Sequence, residues 1–299
     1  MNQTSPTLAP CEADSASWTC RNETAEIPQN EAVRSPVLRP ARSSMLRIVK
    51  YVVKDIVRCK IVVAYAIFLL AASFGLFNLG GDIAKGLIGL LSLILIVVPL
   101  ISLIFGTIHF YNSYEFIELL AAQPVRRSTI LLAEFLGVAV ALGAALLIGV
   151  GLPVAIYAAN ATGFTLLGVG LALTVIFIAM AFLGAVVTRD KARGIGLAML
   201  LWFYFALLHG GLMLLVMSVF SEYPLEKASM AMISLNPIDL GRVVVLLQMD
   251  VSALMGYTGA MMKDMLGTAM GAAYGSGILL LWAAAPLSLA VWVFRRKDL

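Results

Sequence analysis

Six long apolar runs, at about 61–79, 87–108, 130–157, 164–187, 195–220 and 272–294, leave this chain few ways to fold. Each is long enough to cross a hydrocarbon core of ~30 Å, which takes ~20 helical residues. Inside hydrocarbon every backbone N–H and C=O must be satisfied by the protein itself, and a helix does so segment by segment. The expected fold is therefore all-α and integral to a membrane, with six transmembrane helices. Composition agrees: 61% of the 299 residues are hydrophobic and 13% charged, where soluble domains carry ~25% charge. The first run is the shortest and is expected to begin inside the basic segment before it. The third carries Gly149, Gly151 and Pro153, which predict a kink or an early end.

Residues 1–44 are rich in Ser, Thr, Pro, Asn and Glu and lack both apolar periodicity and a secretory core. They read as a disordered cytoplasmic tail. Cys11 and Cys20 lie in it and Cys59 beside the first run; their spacing matches no zinc pattern, and unpaired cytosolic thiols are expected. From Met45 to Lys60, Arg47, Lys50, Lys54 and Arg58 form one basic stripe, with Leu46, Val49, Val53, Ile56 and Val57 over much of the other side. This is the pattern of an amphipathic helix lying in the lipid headgroup plane. Lysine and arginine near the span ends set orientation. Fourteen lie on the side of the N-terminal flank, the 109–129 and 188–194 loops and the C-terminus, against four on the other (Lys85, Lys227, Arg242, Lys263). Both termini are thus expected in the cytoplasm. The net charge of +4 is accounted for by this flanking, with no call for nucleic acid.

Two connections are too patterned to be slack loops. Tyr111–Thr129 mixes Glu115, Glu118, Arg126 and Arg127 with a Gln123-Pro124 break, and places Phe116, Leu119, Leu120 and Gln123 on one helical face. It reads as a short cytoplasmic helix against which a partner pushes. The long external segment 221–271 contains LNPIDLGRVVVLLQMD. Its Asn236-Pro237 pair marks a turn, and an interfacial or re-entrant helix is expected after it, with a second short helix over 252–266. Gly267, Gly271 and Gly275 make overlapping GxxxG steps, which suit either packing within one chain or contact with a second copy.

Catalytic signatures are missing. The sequence has no GxxxxGK[ST] phosphate loop, no HExxH and no GxSxG. With two histidines, His109 and His209, a histidine-based active site has little to draw on. No Asp, Glu, Lys or Arg falls at the centre of a run, and Glu134 reads as interfacial, so a proton or sodium relay within the spans is not evident. A bundle that moves cargo without ion coupling needs an outside source of energy.

The amphipathic basic helix, the E-x-x-E-L-L-x-x-Q-P-V-x-R-S stretch between spans two and three and the external L-N-P segment together resemble the permease subunits of ABC-2 type transporters. The resemblance covers about residues 45–299. It departs from many members at Phe116-Ile117, where they carry Gly-Thr. It implies a non-enzymatic, multi-pass subunit of the bacterial inner membrane, working as a homodimer with two separate cytoplasmic ATPase subunits that bind the ATP. The Tyr111–Thr129 helix would then be the coupling helix, with Glu115, Glu118, Arg126 and Arg127 in charged contacts and Gln123-Pro124 ending it.

Within that family the external stretch is most similar to permeases serving nitrous oxide reductase maturation. That resemblance implies copper or sulfur delivery with a periplasmic partner. Thioethers are soft ligands suited to Cu(I). His209, Met213 and Met217 repeat every four residues on span five, and Met261 and Met265 share a face farther on. These are the candidate copper ligands; methionine is equally a flexible filler of apolar packing. Export of a drug, lipid or other hydrophobic cargo stays open, as does a non-transporting role as a mechanical transmitter to an external partner.

Overall fold

Asparagine and aspartate cap the starts of four of the described helices. The computed structural model describes residues 49–50, 52–57, 59–121, 127–188, 190–220, 226–249 and 256–296, without the side chains of 118, 120, 121, 226–228 and 256–269. The tail 1–44 lies outside the described residues. A short helix, α1 (52–57), precedes α2 (Lys60–Leu79). Cys59 is extended at the junction, so the first span starts after the basic helix rather than inside it. Next come α3 (Ile83–Asn112), α4 (Tyr114–Ala121), α5 (Arg127–Leu146), α6 (Leu152–Tyr157), α7 (Ala161–Val187), α8 (Lys191–Phe203) and α9 (His209–Val219), then α10 (Glu226–Ser234), α11 (Pro237–Leu247) and α12 (Gly256–Arg296). The carboxyl of Asp82 accepts the Ala84 N–H at 3.4 Å, Asn160 that of Gly163 at 2.9 Å, Asp190 that of Ala192 at 3.1 Å and Asn236 that of Ile238 at 2.9 Å. Each cap satisfies a first-turn donor that has no partner within its helix. Among the described residues there is no strand.

Six helical segments have membrane length and hydropathy: Lys60–Leu79, Ile83–Asn112, Arg127–Tyr157, Ala161–Val187, Lys191–Val219 and Met270–Arg296. α7 is the hub, packed on α3, α12, α5 and α11. Phe182 on α7 meets Phe110 of α3 and Phe135 of α5 edge-on, at 5.4 and 5.9 Å between centroids. Within the apolar window of α7, 67% is buried, against 17% for Lys191–Val219 and 22% for Met270–Arg296. Spans five and six therefore keep most of their apolar surface for lipid or for another chain.

The third span neither kinks to a stop nor ends early. It passes through a π-helical turn, Leu147–Gly151, and continues to Tyr157. A Cβ on Gly149 would overlap Leu69 of α2, so this glycine lets two backbones approach where the helix widens. A second π-turn, Tyr204–Leu208, joins α8 to α9.

α10 and α11 form a helical hairpin packed against α12. At its tip the Trp282 indole N–H donates to the Ser234 carbonyl at 3.0 Å, and the Asn236 amide donates to the Phe205 carbonyl at 2.9 Å. Phe205 and Trp282 both sit near the centres of their spans, so the tip reaches mid-depth. Asn236 and Pro237 are buried there, and most of α11 is buried against α7 and α12. Thr162 Oγ1, at the start of α7, donates to the Gln248 carbonyl at 3.2 Å, which fixes the other end of α11. The expected separate helix over 252–266 is instead the beginning of α12, which runs unbroken for 41 residues. Pro237 at the first turn of α11 has a ready φ and no N–H to satisfy, which is why the hairpin turns at Asn-Pro.

Candidate functional site

Both histidines of the chain are paired with a carboxyl group. One pair lies at the α4 end of the bundle, the other beside the tip of the hairpin.

At the α4 end, the last turn of α3 carries His109 and the second turn of α5 carries Glu134. His109 Nε2 lies 3.0 Å from Glu134 Oε2, and Ser113 Oγ lies 3.4 Å from the same nitrogen. The ring of Phe105 stacks on the imidazole with 6.0 Å between centroids. Glu134 is 1% exposed, and its second oxygen, Oε1, accepts no hydrogen bond from the described residues. An unsatisfied buried acceptor costs about 1–3 kcal/mol. A polar cavity of about 210 Å³ opens beside it, lined by Val52, Asp55, His109, Asn112, Ser113, Phe116 and Glu134. Four elements meet there: α1, the end of α3, the start of α4 and α5.

α4 covers this region. Ile117 is fully buried beneath it, Phe116 is half-buried, and Glu115 and Leu119 are exposed, Leu119 at 69%. The helix packs down through Ile117, and Leu119, on the face predicted from spacing, stays outside with Glu115. Arg127 opens α5 and is half-buried. Glu118 is on α4 with its side chain undescribed, while Gln123, Pro124 and Arg126 lie outside the described residues. Nearby, the Tyr111 hydroxyl donates to the Thr188 carbonyl at 3.2 Å and Lys191 Nζ to Asn112 Oδ1 at 2.8 Å. The turn from α7 to α8 is thereby tied to the same corner.

No local spacing announces the second pair. His209 Nδ1 lies 3.0 Å from Asp239 Oδ2, an oxygen that also accepts the Asn236 amide at 2.7 Å. Arg242 stands 3.9 Å from the other oxygen. His209 is 3% exposed. A carboxyl group that no span carries is thereby brought against span five, because the hairpin places Asp239 beside His209. Met213 is buried one turn beyond His209 and Met217 is half-buried; the side chains of Met261 and Met265 are undescribed. Among the described residues no group of three or more His, Cys, Asp or Glu is placed to hold a metal ion. Gly271 and Gly275 are buried; a Cβ on Gly275 would overlap Val244 of α11, so its small size serves packing within the chain. Gly267 lies on α12 with its surroundings undescribed.

A helix that rests on the bundle with part of itself turned outward, and a hairpin buried at the other end, suit a membrane subunit worked by a partner. Residues 12–299 match the model of the ABC-2 family transporter proteins, so the chain belongs to that family and is the permease subunit of an ABC transporter. ATPase partner subunits follow from that membership. It is similar to the probable ABC transporter permease protein NosY of Pseudomonas aeruginosa, 32% identical over 192 residues, which span 60% of this chain and 68% of that protein.

Proposed function

We propose that this permease serves maturation of a periplasmic nitrous oxide reductase, handling copper or sulfur for it from the inner membrane. The observation that carries this reading is the 32% identity to the NosY permease over 192 residues, joined to the LNPIDLGRVVVLLQ stretch that forms the hairpin. In this reading the α4 end and both termini face the cytoplasm, two copies of the chain pair in the membrane, and a periplasmic partner meets the hairpin end. Two ATPase subunits seat on α4. Glu115 and Leu119 face outward there, and Glu118, Gln123, Pro124, Arg126 and Arg127 complete the coupling segment. Movement imposed on α4 would pass through Ile117 to α3 and α5, the helices that hold His109 and Glu134. Where copper is the cargo, His209 offers Nε2, since Nδ1 is engaged by Asp239, with Met213 and Met217 as soft donors on the same face; Met261 and Met265 would serve nearer the partner.

Deleting the gene in a denitrifying host and assaying the copper content and activity of nitrous oxide reductase tests the assignment. Loss of both, restored by this chain, is expected; a fully loaded enzyme in the deletion strain ends it. Export of a hydrophobic cargo is a second reading, favoured by an apolar cleft of about 480 Å³ between α7, α11 and α12. An amphiphile that accumulates in the deletion strain while the reductase stays loaded is the result that would select it.

A further inference from the structure

We infer that the π-turn of span five is a register switch, held in its π form by the hairpin. The turn Tyr204–Leu208 closes with the His209 N–H donated to the Tyr204 carbonyl, five residues back. In an α-helix that N–H would go to Phe205, four residues back. The Phe205 carbonyl receives the Asn236 side-chain amide instead, at 2.9 Å, in a buried bond. A second bond from the same hairpin falls just beyond the turn, where Asp239 Oδ2 lies 3.0 Å from His209 Nδ1. The hairpin thus supplies the donor that substitutes for His209 and also grips the residue whose N–H is diverted. Withdrawal of the hairpin leaves the Phe205 carbonyl without its amide, and an unsatisfied buried acceptor is costly. Pairing that carbonyl with the His209 N–H restores a partner and makes the turn α-helical.

The two halves of the span are held unequally. On α8 the Trp202 indole N–H donates to the Ile96 carbonyl of α3 at 3.1 Å, and a Cβ on Gly194 would overlap Tyr111, so this half is fixed to α3. In α9 the buried side chains are His209 and Met213, while Leu212, Leu214, Leu215 and Val219 are exposed. α9 can therefore turn on α8 with little packing lost. Passing from five-residue to four-residue closure moves α9 by one residue, about 100° around the axis and about 1.5 Å along it. Single π-turns within α-helices recur at functional sites; this one is a joint whose two states differ in which donor serves one carbonyl. The Ser234 carbonyl of the hairpin accepts from Trp282 at 3.0 Å, so the setting of α12 bears on the same joint.

Spin-label distances in the full chain, with Cys11, Cys20 and Cys59 changed to serine, test this. One label goes on Phe164 of α7 and the other on Leu214 or Leu215 of α9, all exposed positions; the last two point about 100° apart, so a rotation cannot escape both. Asn236→Ala/His209→Ala removes both hairpin bonds and is expected to shift at least one of the two distances by about 8 Å, the travel of a point on a helix ~11 Å wide turned through ~100°. Deleting Leu207 takes out the residue by which the π-turn exceeds an α-turn, so α8 and α9 keep their places and both distances stay at their wild-type values. Adding Asn236→Ala/His209→Ala to that deletion should then shift neither. Unshifted distances in the folded double variant overturn the proposal, as does an equal shift when Leu207 is deleted as well. The deletion decides by itself if the double variant does not fold: a shift of about 8 Å on deletion means that α9 has slipped by one residue and that the turn holds no spare residue to release.

Discussion

The two histidine–carboxyl pairs show how differently the same chemistry is used at two depths. Asp239 is held by His209, Asn236 and Arg242, and Asn236 in turn caps α11 and holds the Phe205 carbonyl. That network is closed and knots the hairpin to span five. Glu134 is held by His109 through one oxygen, and its other oxygen is buried with no hydrogen-bond partner among the described residues. That network is open, at the end where α4 lies. A closed network specifies one arrangement, whereas a partly satisfied one leaves a group to be completed by a partner or ligand.

The contrast can be broken by mutation. The largest effect is expected at the open pair: His109→Ala leaves Glu134 buried with no described partner and should destabilise the protein by about 3–5 kcal/mol, read as thermal unfolding in detergent. His109→Leu/Glu134→Leu should recover most of that loss, since an apolar pair of similar size replaces a buried polar one at little cost. A double variant as unstable as His109→Ala would show that the pair does more than satisfy itself. Next comes Asn236→Ala, which strips partners from the Phe205 carbonyl, the Ile238 N–H and Asp239, with about 2–3 kcal/mol lost. His209→Ala should be milder, at about 1–2 kcal/mol, because Asn236 and Arg242 still face Asp239. If His209→Ala proves more damaging than His109→Ala, the open and closed descriptions must be exchanged. Smallest for stability is Leu119→Ser on the exposed side of α4, within about 0.5 kcal/mol of wild type. Its expected effect is functional: ATPase stimulation by the permease should fall with no change in Tm, and unchanged stimulation would remove Leu119 from the coupling surface.

Span positions were legible in the sequence because membrane crossing is a matter of length and hydropathy, which one run carries by itself. The hairpin was half legible: Asn236-Pro237 announced a turn, but the depth of that turn depends on Phe205 and Trp282, far away in the chain. The pairs were not legible. His109 and Glu134 are 25 residues apart and His209 and Asp239 are 30 apart, and no local period joins them. The π-turns leave no signature that spacing alone would catch. Spacing placed Phe116 and Leu119 on one face of α4, but spacing identifies neighbours on a helix without saying which of them a bundle will cover, and it did not single out the buried Ile117.

α12 has a mechanical consequence. At 41 residues it is about 62 Å long, roughly twice the hydrocarbon thickness. It is a lever as much as a span. Held near its middle by the Trp282 bond to the hairpin, it turns a modest tilt into opposite displacements of its two ends. A rotation of about 10° about that point swings the Gly256 end by several ångströms. Work done at one membrane surface could in this way be delivered as travel beyond the other.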